Sequence, residues 1–118
     1  MVLVDTSVWI RHFRTTEAGL VDLLERDDVA CHVMVLGELA CGHLARRSDV
    51  LRDLSALPAV LPCQDSDVMY FIERRHLYGT GVSWVDVHLL ASAVTEGFPL
   101  WTLDQKLARQ AVRLGVGR

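Results

Sequence analysis

At 118 residues the chain has the length of one domain, 1–118, and its 51% hydrophobic content is ample for a single core. No apolar run approaches the ~20 residues needed to cross a bilayer. The opening MVLVDTSVWI has no basic leader and meets Asp5 early, so it does not read as a signal peptide; a cytoplasmic protein with no membrane partner is expected. Twelve Lys+Arg against fifteen Asp+Glu give a net charge of −3, which counts against an ordinary basic nucleic-acid-binding domain. Two divalent cations held by acids would reverse that sign. Cys31, Cys41 and Cys63 are odd in number and lack a CxxC, so neither a disulfide scaffold nor a thiolate zinc site is expected, and buried, inert thiols are.

Val2 to Val4 reads as a buried strand that ends in Asp5-Thr6-Ser7 and opens a helix through Val8-Trp9-Ile10. Leu20, Val21, Leu23 and Leu24 place a helix over Ala18 to Leu24, before the turn Arg26-Asp27-Asp28. Val29 to His32 reads as a second strand, Val35 to His43 as a helix, and Ser48 to Leu57 as another that Pro58 stops. Ala59 to Pro62 is an extended piece; Asp65 or Ser66 is placed to cap a helix over Asp67 to Leu77. Gly79-Thr80-Gly81 is a turn, Trp84 to Glu96 an apolar helix ended by Gly97, Pro99 to Thr102 a strand and Gln105 to Arg113 a helix. Leu114 to Val116 reads as a last strand, weakened by Gly115. Strands alternating with helices imply an α/β domain whose parallel sheet is covered on both faces; four to five strands fit the length.

In such sheets ligands bind beyond the carboxyl ends of the strands. Asp5 follows the first strand run and Asp104 the Leu100-Trp101-Thr102 run, so both fall at that edge. Asp86 stands in the first turn of a helix among Trp84, Val85, Val87, Leu89 and Leu90, and Glu38 among Leu36, Leu39 and Ala40. An unpaired carboxylate in apolar surroundings costs several kcal/mol or shifts its pKa upward. Four such groups together repel one another unless cations sit between them. An all-oxygen pocket suits Mg²⁺ or Mn²⁺ rather than zinc. One such ion lowers the pKa of a water, and a second steadies the leaving oxygen of a phosphodiester. Thr102 or Ser7 could orient a carboxylate through its hydroxyl.

Each acid also has a purely local role open to it. Asp5 and Asp104 are placed as helix N-caps, Ser83-Trp84-Val85-Asp86 has the shape of a capping box, and Glu38 could pair with Arg46 or Arg47.

The assembled residues resemble those of the PIN domain, and more narrowly of the VapC-type toxins of toxin–antitoxin pairs. The hydrophobic start with Asp5-Thr6-Ser7 resembles the family's LxDTS, and Val35-Leu36-Gly37-Glu38-Leu39 with Gly42 resembles its helix carrying the second acid. Gly81-Val82-Ser83-Trp84-Val85-Asp86 with Leu89 and Ala91 resembles the third motif, and Leu100-Trp101-Thr102-Leu103-Asp104 the closing LxTxD. The resemblance covers essentially the whole chain. It implies a three-layer α/β/α fold and a Mg²⁺- or Mn²⁺-dependent endoribonuclease, with Asp5, Glu38, Asp86 and Asp104 as metal-binding acids and Ser7 and Thr102 assisting. It further implies a homodimer, a small VapB-like antitoxin, and transfer, ribosomal or messenger RNA as substrate, cut to leave a 3′-hydroxyl and a 5′-phosphate. Leu107 stands where many relatives carry an aromatic residue, in an expected core position.

His12, His32, His43, His76 and His88 show no zinc-ligand spacing. Trp9, Trp84 and Trp101 read as core packing ahead of RNA stacking. Arg11, His12, Arg14, Arg74, Arg75 and His76 are candidates for backbone contact or for solvent-exposed pairing. The stripe Val50, Leu51, Leu54 and Leu57 suggests a dimer or antitoxin face. Rival readings are a small-substrate phosphohydrolase, a degenerate PIN-like binding module without catalysis, and a DNA-directed nuclease.

Overall fold

The computed structural model describes residues 1–118. In chain order the elements are β1 (Val2–Val4), α1 (Thr6–Arg14), α2 (Ala18–Glu25), β2 (Val29–Ala30), α3 (Val33–Ala40), α4 (Arg47–Ser55), α5 (Asp65–Arg74), α6 (Trp84–Glu96), β3 (Leu100–Trp101) and α7 (Gln105–Arg113). None of the helices is long and apolar enough to cross a membrane. The three strands form one parallel sheet in the order β2-β1-β3, with Leu3 opposite both Ala30 and Leu100 and Val4 opposite Trp101. All of β1 is buried, as expected of a central parallel strand covered by helices in an α/β/α arrangement.

The expected four- to five-stranded sheet is therefore wrong: three strands carry the fold, and the chain is mostly helical. The strand expected at Leu114 to Val116 fails to form for a physical reason. At Leu114 to Val116 the backbone donors are spent on ending α7: Val116 N–H reaches back to Ala111 C=O and Gly115 N–H to Val112 C=O. That is the Schellman arrangement, and Gly115 supplies the left-handed φ of +79° it needs. Only one bridge, Leu100 to Gly117, remains for the sheet. On the opposite edge Ala59 makes a single bridge to Cys31 before Pro62 and the next helix intervene.

The second strand is also shorter than Val29 to His32, because His32 turns out of the sheet to become the N-cap of α3. Its Nδ1 accepts the Met34 N–H at 3.0 Å, which places the ring proton on Nε2, where no partner meets it. Burial, and then the His88 ring 6.4 Å away, hold the His32 pKa down to about 4, from 6.5. The unfolded chain thus binds more protons between those values, so this group's stability is complete above about pH 6.5 and is lost as pH falls toward 4. His32→Asn keeps a side chain suited to capping. Urea unfolding between about pH 7 and about pH 5 is expected to show a loss on the order of 1–2 kcal/mol in the parent, allowing for water screening, that the variant lacks.

The core is one cluster centred on β1 and α6. Val87 through Ala93 are all buried, as the nearly continuous apolar run required. Leu54 belongs to this core, and Val50, Leu51 and Leu57 are half-buried against it; Val50, Leu54 and Leu57 also line an open, mostly apolar pocket with Trp9, Phe13 and Leu24. Leu107 is fully buried, the core position expected for it. Leu107→Ala removes that packing from the first turns of α7 and is expected to cost about 2–5 kcal/mol, read as a lower urea midpoint at unchanged m. Cys31 is buried and its thiol is pushed up to about 11 by burial, but Cys41 is exposed, contrary to the expectation of buried thiols throughout.

Candidate active site

Asp5 is buried, at 7% exposure, directly after the central strand. It occupies the N-cap position of α1 yet makes no side-chain cap, so its carboxylate is not consumed by the helix. Oδ2 instead accepts two hydroxyls, Ser7 Oγ at 2.8 Å and Thr102 Oγ1 at 2.7 Å. Thr102 Oγ1 also accepts the Asp104 backbone N–H at 3.0 Å, and Ser7 Oγ accepts that of Leu103 at 3.0 Å. These bonds tie the ends of β1 and β3 together, bringing Asp5 and Asp104 to one sheet edge from opposite ends of the chain.

Asp86 completes the local set from α6. The capping box anticipated from the sequence forms: Ser83 N–H donates to Asp86 Oδ2 at 2.9 Å, and Asp86 N–H to Ser83 Oγ at 3.1 Å. The Asp86 pKa is nonetheless raised from 3.8, first by burial and also by the negative charges of Asp5 and Asp104; the hydrogen bonds to Ser83 oppose the shift. Three carboxylates from β1, α6 and the start of α7 therefore share one electrostatic environment.

Glu38 lies farther out. It is exposed, not enclosed by the apolar residues that flank it in sequence, and its Oε1 accepts Thr6 Oγ1 at 2.6 Å. Thr6 is the residue that sequence reasoning missed: it stood inside the Asp5-Thr6-Ser7 motif without a role, and only the packing of α1 on α3 supplies one. Glu38 does not pair with Arg46 or Arg47; the Arg47 guanidinium bonds the Ala40 carbonyl.

A common pattern runs through the four acids. Each spends one oxygen on a donor from the protein, Asp104 through Oδ1 to Leu107 N–H, and leaves Asp5 Oδ1, Glu38 Oε2, Asp86 Oδ1 and Asp104 Oδ2 without one. None enters a salt bridge; the ion pairs involve Asp22, Asp28, Asp49, Asp53, Asp65 and Glu17. Local capping and an open carboxylate oxygen are thus compatible at Asp86 and Asp104. An excess of uncompensated negative charge with spare hard oxygen donors is the chemistry a divalent cation answers. As arranged, no three acid, histidine or cysteine side chains lie close enough to enclose an ion.

The remaining candidates fall elsewhere. His88 is buried with its ring centre 4.5 Å from that of Trp84, the two planes nearly perpendicular, and its Nε2 lies 3.3 Å from Asp65. Trp9 is core, whereas Trp84 is exposed. Arg11 pairs with Glu17 and Arg75 lies over Phe71.

Alongside this small parallel sheet and its acids, the family follows from the sequence: the PIN domain matches residues 2–113. The chain belongs to the PIN domain family. Among its relatives is the protein named Ribonuclease VapC32 of Mycobacterium tuberculosis, in strain CDC 1551 / Oshkosh and in strain ATCC 25618 / H37Rv. Each is 44% identical over 118 residues, covering 98% of this chain and 94% of the relative. PIN domains in general use divalent metal ions for catalysis.

Proposed function

We propose that the chain is a Mg²⁺- or Mn²⁺-dependent endoribonuclease toxin, a single PIN domain held in check by a small VapB-like antitoxin. The observation that carries this reading is the set of three acids, Asp5, Asp86 and Asp104, that share one electrostatic environment with spare oxygens and no cationic partner, with Glu38 beyond them, together with kinship to a protein named as a ribonuclease. Asp5, Asp86 and Asp104 hold the ion or ions, with Glu38 as the outer ligand. When bound, a hard divalent ion supplies an acidified water and draws charge from the phosphate. The chain's own contribution is order. Ser7 and Thr102 hold Oδ2 of Asp5 and leave Oδ1 free; the capping box holds Asp86 by its other oxygen; the Leu107 N–H does the same for Asp104. The reaction adds water across a phosphodiester, leaving a 3′-hydroxyl and a 5′-phosphate. Transfer, ribosomal and messenger RNA are the substrate classes, and the active form is a homodimer.

The exposure of Glu38 and Asp104 favours an extended polymer over the enclosed substrate that a small-molecule phosphohydrolase binds. Sequencing of RNA ends after brief expression, with Asp5→Asn as control, tests the function. New 5′-phosphate ends in the parent alone support it; identical end profiles in parent and variant overturn it.

A further inference from the structure

Beside the acid cluster lies a cavity of about 500 Å³ between α1, α3 and the segment that follows α3. Glu38 stands at its edge, and its lining includes Ile10, Phe13, Leu39, Arg14 and His43. We propose that this cavity is a nucleotide subsite, taking the base and phosphate next to the cleaved bond and giving the enzyme its sequence preference. The inference rests on the ribonuclease reading and deepens it.

Four observations carry it. The volume lies within the ~300–1,000 Å³ of ordinary ligand sites. The groove begins at the catalytic edge: Thr6, at the start of α1, bonds Glu38, and Phe13 lies two turns along the same helix, about 10 Å away at ~1.5 Å per residue. That span brings a flanking nucleotide, not the scissile phosphate itself, to Phe13.

The third observation is a preset aromatic surface. Phe13 is 38% exposed and lies nearly parallel to the buried Trp9, with ring centres 6.1 Å apart and planes at 28°. Its ring is therefore positioned before any ligand arrives, and an unpaired base can extend the stack at little entropic cost. The fourth is charge. Arg14 and His43 line the cavity and neither enters a salt bridge, in a protein whose net charge is negative. The Arg14 guanidinium and the His43 ring beside an aromatic face, with Glu38 also lining the groove, match a nucleotide's phosphate and base better than they match an apolar peptide.

The test is cleavage of short single-stranded RNAs, randomised on both sides of the cut, by the full chain with Mn²⁺. Phe13→Ala is expected to raise KM roughly tenfold with kcat little changed and to flatten the base preference at one flanking position. Phe13→Trp restores both, which separates stacking from loss of packing against Trp9. Arg14→Gln, on an exposed side chain, is expected to lower the slope of log affinity against log salt by about 0.7. Parental KM, base preference and salt slope in Phe13→Ala and Arg14→Gln overturn the subsite and leave the groove to a protein partner. An inactive parent overturns the ribonuclease reading itself, so the two failures are told apart.

Discussion

Asp5→Asn is expected to lower RNA cleavage by roughly a thousandfold or more while leaving the thermal transition in place. The physical basis is the asymmetry of the Asp5 environment. Its Oδ2 is engaged by the Ser7 and Thr102 hydroxyls, and both hydroxyls can turn to accept from an amide or donate to it, so asparagine keeps the link between the ends of β1 and β3. What asparagine removes is the negative charge on a buried carboxylate with one oxygen that no protein donor meets, the property on which the proposed cation site depends. Thr102→Ala is expected to do less, about ten- to a hundredfold, because it loosens Asp5 without neutralising it. Thr102→Ser, which keeps the hydroxyl, should recover most of that loss. Cleavage rates beside circular-dichroism melts check both. An Asp5→Asn protein that melts like the parent and cuts at the parental rate removes Asp5 from the mechanism.

Mn²⁺ or Mg²⁺ is expected to stabilise the protein, and Asp86→Asn to abolish much of that gain while making the metal-free form more stable. The sign follows from the raised Asp86 pKa. The folded state holds this proton more tightly than the unfolded chain, so the group's favourable contribution is present below its ordinary value of 3.8 and is lost as pH rises through the raised one. At neutral pH the ionised Asp86 thus burdens the metal-free fold, by burial first and by Asp5 and Asp104 next. A cation binding the folded state at a hundred times its Kd contributes ~2.7 kcal/mol, a rise in Tm of roughly 10 °C for a domain of this size. Asparagine at position 86 can still accept the Ser83 N–H, so the cap survives the exchange. Calorimetry in chelator and in excess Mn²⁺, for parent and variant, reads both effects. Equal parental Tm in the two conditions defeats the metal reading.

The purely local alternatives raised by the sequence proved half right, and instructively so. Asp86 does complete a capping box and Asp104 does cap α7, yet each does so with a single oxygen. A carboxylate has enough acceptor capacity for a structural and a chemical task together, so the two readings never competed. At Asp5 the cap was the wrong expectation: the residue has the position but not the bond. Glu38 shows the reverse error, because apolar neighbours along the chain did not imply an apolar environment; successive helix positions point in different directions, and Glu38 faces outward.

The sequence by itself determined what depends on neighbours within a few residues: the buried strand Val2–Val4, the apolar helix Trp84–Glu96, the Ser83–Asp86 box, and the polar residues waiting at strand ends. These follow from side-chain period and from hydrogen bonds that close over three or four positions. The tertiary structure alone decided how many strands pair, because the donors of Gly115 and Val116 serve either α7 or the sheet, and their use in ending α7 left a single bridge. It alone decided that Thr6 meets Glu38 and that Thr102 meets Asp5, contacts across 32 and 97 residues. Such meetings are set by how helices pack on the sheet, where the energy is spread over the whole core and no short segment records it.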